Sequence, residues 1–523
     1  MTRLSDSDIS RRQVLKGFGA SGAFALAGCT EGTDGDTATE TVTPSVPPTQ
    51  EGIDEWGQRL NDHAREAGID WEMFADDDIT LRFGMGVHPY FTTTDAVKDY
   101  FTELTGIDVE YESFSEDRFW LNAEEYLSND QGRYDGIMVG LWPGGGYHWG
   151  DDGDTWVRDL NEFIEDPELT DKDWLHMEDF RQDTIDLMTF PDGEGGTDFI
   201  GFPNGIEAYG CPAIDKPTFE TLGIDEPTTV DELRDAAKQI SDSDEVDREG
   251  IVSRTSSTTL SSANWGTMFK TYGANWIDRE NKEAALNSER GIASLEMFGE
   301  MMREYGAGDP TENASKDWYA NNNTFDGEVG IMYSTPQTSG IISPEQGART
   351  KFLPPVKGPD EYGNPDPVVD TWIWSTGISK FSENPEAAWL YIQWANSREA
   401  NYMLSTRQWE GDQPRAGYAR WNYIFDRVKN DPSTPNPPEG YENAFREGMA
   451  NVPVNPPPVP VDTPENMDIM SEAASAMSSV VAGQQTAAEA LNGVAPAVTG
   501  HAEEIPDRYI GFERSHGTAT PTE

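Results

Sequence analysis

The 523-residue chain holds two cysteines, Cys29 and Cys211, in opposite settings. Cys29 closes Leu26-Ala27-Gly28-Cys29, which resembles a lipobox, where the thiol receives a diacylglycerol and the cysteine becomes the new N-terminus. Cys211, in "AYGCPAI", has apolar neighbours and reads as a small buried hydrophobe, so no internal disulfide framework is expected. No G-x-S-x-G, H-E-x-x-H or G-x-x-x-x-G-K-[ST] pattern occurs in the chain. "DDGD", Asp151 to Asp154, looks like a fragment of a calcium loop, but the required spacing and distal Glu are missing, and it reads as a solvated acidic turn. Asn313 and Asn322 open N-x-[ST] sequons. Carboxylate pairs beside aromatics would suit a secreted glycoside hydrolase, yet among 95 acidic residues such pairs arise by chance.

The segment ahead of Cys29 explains why its thiol would be modified. Arg11 and Arg12 in "SRRQVLK" look like the twin-arginine export motif, with Val14 where Phe is commoner. The weakly apolar run from Gly17 to Gly28 is shorter than the roughly 20 residues of a spanning helix, so residues 1–28 read as a removable Tat lipoprotein signal. Residues 29–50 are rich in Thr, Pro, Gly and acid and read as a disordered tether, followed by an N-terminal extension over 51–78. No later stretch has 18 consecutive apolar residues. The expected location is the extracellular face of the membrane, held by lipid alone.

Charge narrows the partners. A formal net charge of −58, from 95 acidic and 37 basic residues, argues against nucleic acid, which needs clustered Lys and Arg. The acids are spread along the whole chain rather than gathered in a tail, the composition of proteins from salt-saturated habitats, where salt screens the self-repulsion.

The elements that must position any site alternate between strand and helix. "ITLRFGMGV" alternates as a strand, Val97, Tyr100, Phe101 and Leu104 mark a helix that Gly106 closes, and "IDVEYESF" alternates again, which together make a βαβ unit. "YDGIMVGL" reads as a buried strand and "VRDLNEFIED" as a short helix. Thr229 and Glu232 form a capping box ahead of a helix, a long helix follows Ser288, Asn384-Pro385 opens another, and Thr463-Pro464 and Thr486 to Glu489 open two more.

In this order the segments resemble the extracellular solute-binding proteins of ABC importers that take up sugars and polyols. "VKDYFTELTGIDVEYES", "YDGIMVG", "FPNGIEAYGCPAIDKPTFETLGIDEPTTVDELRDAAKQI", "NWGTMFKTYGANWIDRENKEAALNSERGIASLEMFGEMMREYG", "FDGEVGIMYS", "FLPPVKG", "WIWSTGISKFSENPEAAWLYIQWANS" and "MSEAASAMSSVVAGQQTAAEAL" carry the likeness, over roughly residues 79 to 498. The resemblance implies an α/β, two-lobed, periplasmic-binding-protein-like fold, each lobe a mainly parallel sheet flanked by helices, with hinge strands crossing between lobes. Carried onto this chain, lobe one spans 79–205 plus 319–371, lobe two 206–318 plus 372–500, and 501–523 form a C-terminal tail. It also implies a monomer without cofactor or catalysis that closes over a sugar, polyol or oligosaccharide and hands it to ABC permease subunits. A sensor feeding a membrane receptor is the other reading.

A sugar presents apolar ring faces and a rim of hydroxyls, which aromatic rings and carboxylate, amide or guanidinium groups recognise. Placed on the implied cleft, His88 and Tyr90 follow the first strand, and Trp142 follows the third in "GLWPGGGYHWG", where glycines would let backbone approach a ligand. Glu207 and Tyr209 fall at the first crossing, and Trp265 and Trp276 in lobe two. Asp370, Trp372 and Trp374 fall at the second crossing, the last two on one side of a strand, and Arg415 in a loop facing the cleft. With Arg415 the sole base assigned there, a phosphate ligand is the least favoured.

Overall fold

The expected βαβ unit opens the first of two sheets. Strand β1 (Thr80–Gly86) pairs in parallel with β2 (Asp108–Phe114) and β3 (Gly136–Gly140), and the helix Pro89–Thr105 joins β1 to β2, ending at Gly106 with φ 77°. The computed structural model describes residues 49–114, 116–128, 132–150, 153–406, 418–430, 437–461 and 463–514. Residues 1–28, including Arg11 and Arg12, and Cys29 lie outside the described residues, as do Asp151, Asp152 and Arg415.

The strand that follows the first lobe, β4 (Phe202–Ala208), lies at the far edge of this sheet, and the chain then crosses to a second sheet through Tyr209 and Gly210, where φ is 74°. That sheet holds β5 (Cys211–Asp215), β6 (Glu249–Val252), β7 (Val329–Ser334) and β8 (Thr350–Phe352), in the order β8-β5-β7-β6. The chain returns through β9 (Thr371–Ile378), which inserts antiparallel between β3 and β4, so the first sheet runs β2-β1-β3-β9-β4. Both sheets are therefore mixed rather than mainly parallel. The crossing strands cause this, because each enters its sheet from the hinge end.

The same register corrects the lobe boundaries. Thr371 pairs with Ala208 and the Tyr209 N–H donates to the Asp370 carbonyl at 2.9 Å, so the two crossings lie side by side. Whatever lies between them must stay on one side of the hinge, and β7 and β8 accordingly belong to the second lobe, not the first. Conversely, β9 and the helix Pro385–Ala395, which packs on it, belong to the first lobe. The closing helices Asn466–Val481 and Ala487–Glu503 pack on the second-lobe helix Glu289–Glu304.

Local signals hold at most element ends. The capping boxes at Thr229 and Thr486 both form, and Pro385 occupies the first turn of its helix. The region before lobe one is built in: the helix Gln50–Ala64 packs on Pro89–Thr105, with Asn61 donating to the Tyr100 carbonyl at 2.7 Å. Thr49 and Gln50, assigned to the tether, already cap and open this helix. The tail is likewise engaged. Lys282 of the second lobe bonds the Ile505 carbonyl at 2.7 Å, while the Tyr509 hydroxyl meets His148 Nδ1 of the first at 2.6 Å. His148 is held on its other side by Asp198 at 2.8 Å.

Candidate ligand-binding site

Strand β9 builds the first wall. Because alternate residues of a strand share a face, Trp372 and Trp374 project together, with ring centroids 5.4 Å apart. Trp374 stacks on His88 at 4.0 Å and 19°, and its indole N–H donates to Glu207 Oε1 at 2.8 Å. His88 in turn caps the helix Pro89–Thr105 and stacks on Tyr90, whose ring lies where a side chain at Gly205 would be, 2.3 Å from a Cβ. Trp372 meets Trp142 edge-on at 5.7 Å and Trp120 at 5.5 Å, and the Trp142 N–H donates to the Thr371 carbonyl at 3.3 Å. Two indole N–H groups of this wall, those of Trp120 and Trp372, are buried with no hydrogen-bond partner among the described residues. Buried polar groups are paired in the great majority of cases, which makes two adjacent exceptions informative.

The second wall is set by the carboxyl ends of β6 and β7. Cys211, the first residue after the crossing, pairs with Ser334, so the Ser334 end of β7 is its hinge end, and parallel β6 brings Val252 and the residues after it to the same end. Carboxyl ends of parallel strands beside a crossover are the usual ligand position in α/β proteins. Here Ser253 donates to the Tyr333 carbonyl at 2.7 Å and accepts from Asn264 Nδ2 at 3.2 Å, while Asn321 Nδ2 donates to Ser334 at 3.4 Å. Among the described residues, the Oδ1 atoms of Asn264 and Asn321 are buried and unpartnered, as is Nε of Arg254. Gln337, on the turn after β7, donates to the Ile206 carbonyl at 3.1 Å and so ties this wall to the hinge.

Of the residues expected from sequence, the structure brings His88, Tyr90, Trp142, Glu207, Trp372 and Trp374 into one cluster. It does not bring Trp265 and Trp276 there. Trp265 is fully buried with its N–H on Ser294 at 3.3 Å, and Trp276 stacks on Phe269 at 3.9 Å with its N–H on the Pro458 carbonyl, so both serve the second-lobe core. Tyr209 is buried at the crossing, and Asp370 points at the helix Ser262–Thr271: Oδ1 takes the Thr371 N–H at 2.7 Å, and Oδ2 is unpartnered near Gly266. Burial pushes the Asp370 carboxyl well above its ordinary range.

The glycines of "GLWPGGGYHWG" admit the chain itself rather than a ligand: a Cβ at Gly145 would lie 2.3 Å from the Val461 carbonyl oxygen. Asn466, just beyond that segment, donates to the Trp142 carbonyl at 3.0 Å. Burial raises the Cys211 thiol, as its apolar setting implied. Asp154 pairs with Lys380. Asn313 and Asn322 are buried and bonded to the Gly308 and Trp318 carbonyls, so neither sequon is presented to solvent in the folded chain. Sequence reading missed Trp120, Arg254, Asn264 and Asn321. Trp120 and Arg254 follow the ends of β2 and β6, the position rule that located His88 and Trp142, and could have been found by it.

The sequence pattern of the family described as bacterial extracellular solute-binding protein matches residues 88–402, more than half of the chain. The chain belongs to this family. An erythritol/L-threitol-binding protein of Mycolicibacterium smegmatis is 26% identical over 360 residues, 64% of this chain and 69% of that protein. Among solved structures, an ABC-transporter solute-binding protein of Agrobacterium radiobacter K84 in complex with ribitol superposes with a TM-score of 0.65 at 19% identity, covering 81% of this chain and 98% of that one. One from Agrobacterium vitis S4 with bound D-mannitol gives 0.65 at 20% identity, with 81% and 98% covered. Maltose-bound MalE3 of T. maritima gives 0.62 at 16% identity, with 81% and 99% covered. The solute-binding protein fold, two α/β lobes joined by paired crossings, is thus shared across these proteins. The solute-binding family is one of binding proteins rather than enzymes, which removes the glycoside-hydrolase alternative.

Proposed function

We propose that this solute-binding protein is the membrane-tethered component of an ABC importer that captures a sugar or polyol between its lobes and delivers it to the permease. The observation that carries the ligand class is the state of the first wall. Its indoles at Trp142 and Trp374 are hydrogen-bonded inside the protein, whereas those at Trp120 and Trp372 keep buried donors unengaged among the described residues, and the Glu207 carboxylate stands opposite Trp372 across β4 and β9. Ring faces with adjacent donors and a carboxylate suit a compact polyhydroxylated molecule. The likeness to proteins whose names or complexes specify erythritol, L-threitol, ribitol and D-mannitol supports the same class.

In this reading the solute settles on the first wall, the crossings at 208–211 and 370–371 rotate, and the second wall closes over it. The closed form docks on the permease, which opens it and accepts the solute. Cys29 carries the lipid, Arg11 and Arg12 direct Tat export, the acidic surface suits high salt, and the protein acts as a monomer at the extracellular membrane face.

Thermal unfolding of the protein in molar KCl against neutral sugars and polyols tests the proposal. A ligand at 100 times its dissociation constant adds about 2.7 kcal/mol. A shift with one class, lost in Trp372→Ala, is the expected result, and no shift with any carbohydrate or polyol rejects the ligand class. Retention of Cys29→Ser in the membrane fraction rejects the anchor.

A further inference from the structure

Arg254 is 5% exposed, yet among the described residues no hydrogen bond or ion pair reaches its guanidinium. The Trp318 ring lies 5.7 Å from its Cζ. A buried charge without a partner is costly. Arg420, equally enclosed, bonds Asp179 and the carbonyls of Asn396, Leu175 and His176, and Arg514 bonds the Asp186 carbonyl through Nε while its two terminal nitrogens stay unpartnered among the described residues. In a chain with 95 acidic residues, an unpaired buried arginine is not explained by a shortage of carboxylates.

Its position gives the reason. Arg254 stands two residues beyond β6, at the hinge end of the second sheet, on the same wall as the unpartnered Asn264 and Asn321 amide oxygens. Lys316, whose carbonyl accepts the N–H groups of Thr255 and Ser256, adds a second largely buried cation, 3.9 Å from Glu312, its one ion-pair partner among the described residues. Guanidinium groups bind carboxylate and phosphate oxygens through paired N–H donors, and amide oxygens accept from hydroxyls.

We propose that Arg254 recognises an oxyanion carried by the solute, so that the ligand is a sugar or polyol bearing a carboxylate or phosphate, its hydroxyls bonded by Asn264 and Asn321. This rests on the sugar and polyol reading above and narrows it. It also reverses the sequence expectation that a phosphate is the least favoured ligand, which counted Arg415 as the sole base in the cleft.

The test is calorimetric titration of the full chain in molar KCl with matched pairs: D-gluconate and D-sorbitol 6-phosphate against D-sorbitol, and D-glucuronate against D-glucose. The expected result is that an anionic member binds at least about tenfold more tightly than its neutral parent, since charge-assisted bonds are roughly twice as strong as neutral ones. The preference disappears in Arg254→Gln and is partly kept in Arg254→Lys, and the carboxylate and phosphate arms distinguish the two oxyanions. Raising KCl further leaves most of the ratio intact, because enclosed pairs are weakly screened. If sorbitol and glucose bind as tightly as their anionic partners, the inference falls and the sugar and polyol reading stands. If no probe of either kind binds, both fall. Should Arg254→Gln fail to fold, the wild-type ratio decides alone.

Discussion

The first-lobe wall and the second-lobe wall differ in what fills them and in how their polar groups are employed. The first is aromatic: His88, Trp142, Trp372 and Trp374 contact one another, and their interlocked rings form a surface that is rigid before any ligand arrives. The second is polar, with Ser253, Arg254, Asn264, Asn321 and Ser334 at the ends of two strands, and three of these side chains hold unengaged buried atoms. A stacked surface discriminates weakly among polyhydroxylated molecules, whereas unpaired hydrogen-bonding groups discriminate strongly, because a wrong ligand leaves them unsatisfied. On the proposed function, capture would belong to the first wall and selection to the second.

The largest effect comes from breaking the first wall. Trp372→Ala removes a fully buried indole packed between Trp120, Trp142 and Trp374 and should cost about 3–5 kcal/mol. Trp265→Ala, equally buried but in the second-lobe core, should cost a similar amount. Measured by unfolding with and without ligand, only the first should also abolish the ligand-induced shift. Equal loss in both would mean that the aromatic cluster is core and nothing more.

Next comes the hinge between the walls. The Asp370 carboxyl is raised by burial, against smaller opposing effects of the Thr371 N–H and Lys270, so folding favours its protonated form. The stability linked to that form is complete below the unfolded-state pKa near about 3.9 and is lost as pH rises toward the folded value. Asp370→Asn keeps an acceptor for the Thr371 N–H and cannot ionise. Its melting temperature should therefore exceed that of the wild type at pH 7, with the gap closing toward pH 4. A wild type that gains stability relative to the variant on raising the pH would show that Asp370 is paired when charged.

Asn264→Ala separates selection from stability. It removes the 3.2 Å bond to Ser253, worth about 1 kcal/mol, and the unengaged Oδ1, so unfolding should shift little while affinity falls about tenfold. Unchanged affinity would move selection away from the second wall.

Much of the fold was legible because periodicity and caps are local. The βαβ unit, both capping boxes and the Asn384-Pro385 start hold as expected. The lobe boundaries were not legible, because β7 and β9 are both apolar runs, and which sheet each joins is decided by register at the paired crossings, a non-local fact. The aromatic half of the site was partly visible, since an aromatic residue after a strand stands out. Trp265 and Trp276 satisfied the same description and went to the core, because Ser294, Phe269 and the Pro458 carbonyl, distant in sequence or on the same helix, claim them. Asn264 and Asn321 were invisible, and Arg254, placed by its position after β6, carried no sign of its unpaired Nε. Nothing in a sequence marks which amide or guanidinium stays unpaired after every neighbour has been placed.

The smallest expected effect tests whether the contrast between walls is set by the walls or by the hinge. Thr267, on the helix Ser262–Thr271, accepts the Asp370 N–H at 2.9 Å and donates to the Tyr209 carbonyl at 3.2 Å, so one hydroxyl fastens both crossings to the second lobe. A Cβ at Gly210 would sit 2.5 Å from the Thr267 methyl, so the crossing is pressed closely against this helix. Thr267→Val keeps that packing and deletes both bonds, leaving the Asp370 N–H without its hydroxyl acceptor, which should cost about 1 kcal/mol; Thr267→Ser keeps the bonds and should cost less. If affinity is set by the walls, Thr267→Val should change it by less than about threefold, since neither wall loses a group, and a change as large as that of Asn264→Ala would instead assign selection to the ease of closure.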